Sequence, residues 1–129
     1  MHEFMVPTQS RTEMVDITAE VNRAIRAAGV TEGLCHVFVP HTTAGITINE
    51  NADPDVARDI LTTLDRLVPR AGDYRHSEGN SDAHVKASLM GSSVTAPIAA
   101  GRLSLGTWQA IYLCEFDGPR HRRCLVVTT

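Results

Sequence analysis

The sequence predicts an α+β fold: a mixed, mostly antiparallel β-sheet curled into a sandwich-like core, with two main helices and one short helix, in a single domain over residues 1–129. Three observations predict it. Runs such as GLCHVFVP (Gly33–Pro40) and TWQAIYLCEF (Thr107–Phe116) are dense in β-formers and too brief for good helices. Two longer segments instead repeat apolar residues at helical spacing. The resulting order is ββαββαα then βββ, without the steady strand–helix alternation of a doubly wound sheet. A chain of 129 residues can bury about two thirds of its unfolded surface in one core.

Phe4–Gln9 is the first strand, and Pro7 confines it to an edge or bulge because proline cannot donate to a ladder. Glu13–Ile17 is a second short strand. Asp16 or Thr18 opens a helix through Ala28, with Ile17, Val21, Ile25 and Ala28 at helical spacing and Gly29 as its stop. Gly33–Pro40 reads as a largely buried strand, with His36 as a packed or surface histidine outside any site. Ala44–Asn49 alternates, Ile46 and Ile48 against Thr47 and Asn49, after a turn or bulge near Thr42–Gly45. Asp53 and Pro54 are N-cap and first helical residue of a helix through Val56, Ile60, Leu61, Leu64 and Leu67, ending at Pro69. Ser92–Ile98 is a strand, Gly101 a turn, and Leu103 and Leu105 lead into the Thr107–Phe116 run. Asp117–Gly118–Pro119 is turn chemistry, which predicts a hairpin between that run and Arg122–Thr129.

Composition limits function. A net charge of −3 with interspersed signs argues against nucleic-acid binding, which needs a clustered basic face. The one basic cluster, Arg120–Arg123, is short and reads as a turn flank or anion contact. No apolar run approaches the length that spans a membrane, and MHEFMVPTQ has no basic stretch followed by an apolar run, which predicts no signal peptide. Cys35, Cys114 and Cys124 lie in apolar runs without a CxxC, as buried free thiols of a cytoplasmic protein would.

Chemistry is densest in YRHSEGNSDAHVKASLMG (Tyr74–Gly91). Gly79 and Asn80 permit a tight turn, so His76, Glu78, Asp82 and His84 are read on a folded loop. Ala83–Met90 follows as a short helix with Ser81 or Asp82 as N-cap and Gly91 past its end. A helix N-terminus with histidines nearby favours an anion. A hairpin between the two strands flanking His41 would put His41 and Glu50 about 25–30 Å apart at ~3.3 Å per residue, so both join one site only if the chain bends or a second subunit completes it.

HTTAGITINENADPD (His41–Asp55), HSEGNSDAHVKASLMGSS (His76–Ser93) and LSLGTWQAIYLCEFDGPRHRR (Leu103–Arg123) together resemble the YjbQ-like family, over nearly the whole chain. The loop Asn80–Ala83 is shorter than in members with extra residues before the histidine. The resemblance implies a compact α+β domain assembled as a homotrimer, a polar pocket near a subunit interface, and a weak secondary thiamine-phosphate synthase activity. It carries the HTTA motif onto His41, Thr42, Thr43 and Ala44, and the INE-plus-Asp feature onto Asn49, Glu50 and Asp53. It also marks His76, Glu78, Gly79, Asp82, His84 and Lys86, then Gly106, Thr107, Trp108 and Gln109, and Arg120.

Three functions follow as expectations. The first is an enzyme joining a thiazole phosphate to a pyrimidine diphosphate with loss of diphosphate. Here His41, Glu50, Asp82 and His84 are catalytic, and Thr42, Thr43, Lys86 and Arg120 bind the phosphorylated small-molecule ligand. The chain has no DDxxD-type or Walker motif for a Mg²⁺–diphosphate. The second is a metal-dependent hydrolase of a phosphorylated small molecule, with zinc or magnesium held by His76, His84 and His41 or an acidic residue such as Asp82, and Glu50 as general base. The third is a non-catalytic, metabolite-binding trimer. Trp108 is read as core or interface packing, with stacking on a heterocycle as the alternative.

Overall fold

The computed structural model describes residues 1–129. The elements are β1 (His2–Pro7), β2 (Glu13–Asp16), α1 (Thr18–Ala28), β3 (Gly33–Phe38), β4 (Ala44–Glu50), α2 (Pro54–Leu67), α3 (Ser81–Met90), β5 (Ser93–Ala99), β6 (Arg102–Leu103), β7 (Gln109–Glu115) and β8 (His121–Thr128). They form a five-stranded sheet in the order β1-β8-β3-β5-β6 and a three-stranded sheet in the order β2-β7-β4. Every pairing is antiparallel. The predicted α+β class and sandwich-like core are present.

The main core lies between the sheets and α1. Val21, Ala24 and Ile25 of α1 meet Cys35 and Val37, Ile46, Ala96 and Ile98, Ile111 and Leu113, and Cys124 and Val126. Each Val, Ile or Leu side chain among them, fully buried, contributes on the order of 1.5–3 kcal/mol. A second cluster, built on Ala83, Ala87, Tyr112, Cys114 and Phe116, seats α3 against β7, with Leu61 and Leu64 of α2 packed on it. Pro7 lies on the edge strand β1, as proline requires. Gly29 ends α1 at φ 68°.

Several sequence expectations are corrected here. The hairpin between the last two long strands is absent. The edges of β7 are taken by β2 and β4, and those of β8 by β1 and β3, so the Asp117–Pro119 turn crosses from one sheet to the other. By the same logic β3 and β4 lie in different sheets and form no hairpin. β3 is buried on one face only: Cys35 and Val37 point inward, while Leu34 and Phe38 are exposed. α3 starts at Ser81, with Asn80 as its N-cap residue, whose carbonyl accepts from the Ala83 and His84 amides.

One close approach positions the site. A Cβ on Gly45 would lie 2.9 Å from Met90 Cβ and 2.9 Å from the Gly91 carbonyl oxygen, closer than side chains pack. Glycine there lets α3 rest on β4. The helix thereby brings His84 and Ser88 up to the segment that leads into β4.

Candidate functional site

Three segments meet beside the N-terminal half of α3. They are the link from β3 to β4 (Pro40–Thr43), the turn before α3 (Glu78–Asn80), and the start of β8 with the residue before it (Arg120–Arg122). Two adjoining cavities result, sharing His41, Thr42 and His84. The first, about 310 Å³, is completed by Pro40, Thr43, Glu78, Asn80, Arg120 and Arg122. The second, about 510 Å³, is completed by Ala44, Ala87, Ser88, Gly91 and Ser92.

Arg122 is almost fully buried and its partners fix it. Its Nε donates to both Glu115 carboxylate oxygens at 2.9 and 3.1 Å, and its Nη2 donates to Glu115 Oε2, to Thr43 Oγ1 at 2.9 Å and to the Thr43 carbonyl at 3.2 Å. Its Nη1 is the edge left for the cavity that Arg122 lines. Glu115 also accepts from Thr8 Oγ1 at 2.7 Å and from the Phe116 and Asp117 amides at 3.1 Å. Burial alone would raise its pKa. The bonds from Arg122, Thr8 and the Asp117 amide outweigh burial and hold it below the ordinary carboxylate value. Arg120, half exposed, donates to Asp117 Oδ2 at 2.9 Å, and Asn80 Nδ2 donates to the same oxygen at 2.8 Å.

His41 has a fixed tautomer. The Arg123 backbone amide donates to its Nε2 at 2.8 Å, and an amide can only donate. In neutral His41 the proton therefore sits on Nδ1. Burial first, then the charges of Arg122 and Arg123, push its pKa below the ordinary value. His41 is a neutral donor, and its Nε2 lone pair is already occupied.

The structure thus brings together His41, Thr42, Thr43, His84 and Arg120 of the residues expected from sequence. His76 stands at the rim, edge-on to His84 with ring centroids 5.2 Å apart and its Nε2 3.6 Å from Glu78. Glu50, Asp82 and Lys86 are not brought to the cavity. Glu50 lies at the far end of β4, opposite Gln109. Asp82 is 0% exposed and accepts from Arg11 at 3.1 and 3.2 Å and from Lys86 at 3.2 Å. Lys86 is 1% exposed and donates also to Asp65 at 2.6 Å, so its ammonium has no path to a phosphate. Burial would raise the pKa of Asp82, but the bonds from Arg11 and Lys86 hold it below its usual value. His41 and His84 line the same cavities and His76 lies against His84, but no group of three or more His, Cys, Asp or Glu side chains is arranged to hold a metal ion. The Nε2 of His41 is taken by the Arg123 amide, which withdraws that nitrogen from any metal.

Sequence reasoning did not single out Arg122, Asn80 or Ser88 for the site. Arg122 had a visible signal in the RHRR cluster. Asn80 and Ser88 had none, since both are ordinary residues for a turn and a helix. Trp108 is 62% exposed, which rules out a core role within the chain.

The chain matches the family described as UPF0047 protein YjbQ-like over residues 2–129. It belongs to that family. It is 52% identical to YugU of Bacillus subtilis over 124 residues, 95% of this chain and 94% of that protein. The fold is similar to the crystal structure of a YjbQ/UPF0047 family protein from Clostridium acetobutylicum, with TM-score 0.98 and 56% identity over 100% of both chains. A conserved hypothetical protein from Thermus thermophilus is similar at TM-score 0.94 and 45% identity, also over 100% of both chains.

Proposed function

We propose that the cavity binds the phosphate end of a small metabolite and that the chain is an enzyme acting on it. One observation carries this reading. Arg120, Arg122, His41, His84, Thr42 and Thr43 line a predominantly polar cavity that has a single carboxylate, Glu78. Arg122 Nη1 and the Arg120 guanidinium supply charge-assisted donors. His41 supplies a neutral Nδ1–H. Thr43 Oγ1 accepts from Arg122, so its own hydroxyl proton is free for a ligand oxygen. His84 is the lining imidazole without an assigned partner and is the residue to move a proton in the reaction.

The thiamine-phosphate synthase reaction expected from the family resemblance remains the named candidate within this reading. Its leaving diphosphate needs the cationic surround that Arg120 and Arg122 supply. Glu50 is remote from the cavity within one chain, so the hydrolase alternative needs a second copy to bring its expected base to the site. Assembly as a homotrimer belongs to the same proposal. Exposed Trp108, and the half-exposed stripe of Val56, Ile60 and Leu64 on α2, are surfaces that a second copy would cover. Three buried free thiols support a cytoplasmic setting, and no helix is long and apolar enough to cross a membrane.

Calorimetric titration with inorganic phosphate tests the binding step. Saturable binding that Arg122→Met abolishes is expected, and equal affinity in that variant would overturn the reading. Thiamine phosphate formed from the two precursors with Mg²⁺, and lost in His84→Ala, is the expected result for the synthase. No product from the unaltered chain would remove that reaction and leave the phosphate site standing.

A further inference from the structure

Most side-chain groups lining the cavity at Arg120 and Arg122 either donate hydrogen bonds or can adapt to a ligand. The two guanidiniums and His41 Nδ1–H only donate. The Thr42 and Thr43 hydroxyls and neutral His84 can adapt. Two lining groups can only accept. One is the Glu78 carboxylate, which is largely exposed at the rim. The other is Asn80 Oδ1, and Asn80 is 8% exposed. Its Nδ2 donates to Asp117 Oδ2 at 2.8 Å, the oxygen to which Arg120 also donates at 2.9 Å. Turning the amide over would set its oxygen against that carboxylate, so the placement of its O and N is fixed. The Asn80 backbone carbonyl accepts from the Ala83 and His84 amides at 3.0 and 3.3 Å, while its side chain makes no capping bond to α3. Oδ1 is left over. It is buried and has no hydrogen-bond partner in the protein, and a buried acceptor is costly to leave unpaired.

We propose that Asn80 Oδ1 is a specificity-determining acceptor that takes a hydrogen from the bound oxyanion. The cavity then selects an oxyanion with a hydroxyl on its central atom: hydrogen phosphate, or a phosphate monoester that has kept one P–OH. The bare oxygens of the anion face Arg120, Arg122 and His41, and its hydroxyl faces Asn80. This inference rests on the phosphate-site reading and adds the protonation state of the ligand. An anion of the same shape and charge without that hydrogen would leave Oδ1 unpaired and press a lone pair against it, so a site of this kind rejects it.

The test is a set of calorimetric titrations with inorganic phosphate, sulfate and monofluorophosphate at about pH 8, where a phosphate group has given up its second proton. All are then tetrahedral dianions, and only hydrogen phosphate carries a hydrogen. Hydrogen phosphate is expected to bind about tenfold or more tighter than either of the others. Asn80→Ala weakens every anion by loosening Arg120, but it is expected also to bring their affinities to within about twofold of one another, because the acceptor is gone. Asn80→Leu reads the same ratio if the first variant does not fold. Glu78→Gln, which alters the other acceptor, is expected to keep the preference for hydrogen phosphate. Equal binding of the anions by the unaltered chain, as when a water rather than the ligand serves Oδ1, would overturn this inference and leave the anion site standing. A preference that survives loss of the Asn80 amide, or that vanishes in Glu78→Gln, would overturn it in the same way. Absence of binding by every anion would overturn the phosphate site and this inference together.

Discussion

The chain buries two networks of opposite charges, and only one of them lines the cavity. In the first, Glu115 and Arg122 neutralise each other, but Glu115 and Thr43 engage only Nε and Nη2 of the guanidinium. In the second, Asp82 accepts from Arg11 and Lys86, and Lys86 reaches on to Asp65. Its central groups, Asp82 and Lys86, face no cavity. A buried charge becomes a binding group when its partners hold it in place and still leave a donor over. When its partners close around it, it serves the fold by tying the Arg11 loop, α2 and α3 together.

The largest effects separate the networks by function. Glu115→Ala should cost about 3–5 kcal/mol in urea unfolding, because it leaves the buried Arg122 without a carboxylate, and Asp82→Ala less than that, because Lys86 keeps Asp65 and Arg11 is partly exposed. Among folded molecules only Glu115→Ala should lose phosphate affinity, because only that carboxylate orients a cavity guanidinium. Equal weakening of phosphate binding by Asp82→Ala would break the distinction and return Asp82 to the site.

Arg120→Ala sharpens the contrast from the other side. Its guanidinium is 52% exposed, and its pair with Asp117 lies partly at the surface, so stability should change by no more than about 1 kcal/mol. Phosphate affinity should fall by roughly tenfold to a hundredfold, the scale of a hydrogen bond to a charged group. Titration and urea unfolding of the same preparation check both halves of the statement.

These networks also mark where sequence legibility ended. The class of fold was readable because hydrophobic period and turn residues act locally, as with Asp53–Pro54 opening α2 or Gly29 closing α1. Pairing of β7 with β8 was misread because a tight turn suggests a hairpin, and local chemistry cannot show that both edges of β7 are already occupied. At the site, His41, Thr42, Thr43, His84 and Arg120 were readable from motif chemistry. Asp82 and Lys86 share that motif but lie buried away from the cavity. Their i, i+4 spacing on α3 lets them pair with each other, and Arg11, distant in sequence, closes the pair. Arg122 was seen only as part of a basic run, since its burial is set by Glu115 across the sandwich.

Acid should weaken both networks. Asp82 and Glu115 have folded-state pKa values below their unfolded ones. The unfolded chain therefore binds more protons in that window. The stability they confer is complete above the unfolded carboxylate range, about pH 4–5, and is lost as pH falls through the folded values. His41, with its pKa also lowered, adds a loss of the same sign: the unfolded chain protonates first, so stability declines as pH drops below about 6.5 and levels off once pH is below the folded value. Urea midpoints across pH should show His41→Asn flattening the upper part of the decline and Asp82→Asn the lower part. An unchanged profile in both variants would show that other groups carry the acid sensitivity.

The smallest effect compares two helix starts. Asp53 caps α2 with its own side chain, Oδ1 accepting from the Asp55 amide at 2.9 Å. Asn80 begins α3 without a side-chain cap, and its amide instead donates to Asp117, the carboxylate that also holds Arg120. Asp53→Ala should therefore cost about 1 kcal/mol of stability and leave phosphate affinity unchanged. Asn80→Ala gives up no cap. It should loosen Arg120 through Asp117, and so lower phosphate affinity while moving stability little. Loss of phosphate binding in Asp53→Ala would mean that this aspartate does more than start a helix, and that the α2 N-terminus and the cavity communicate by a route the contacts around Asp53 do not contain.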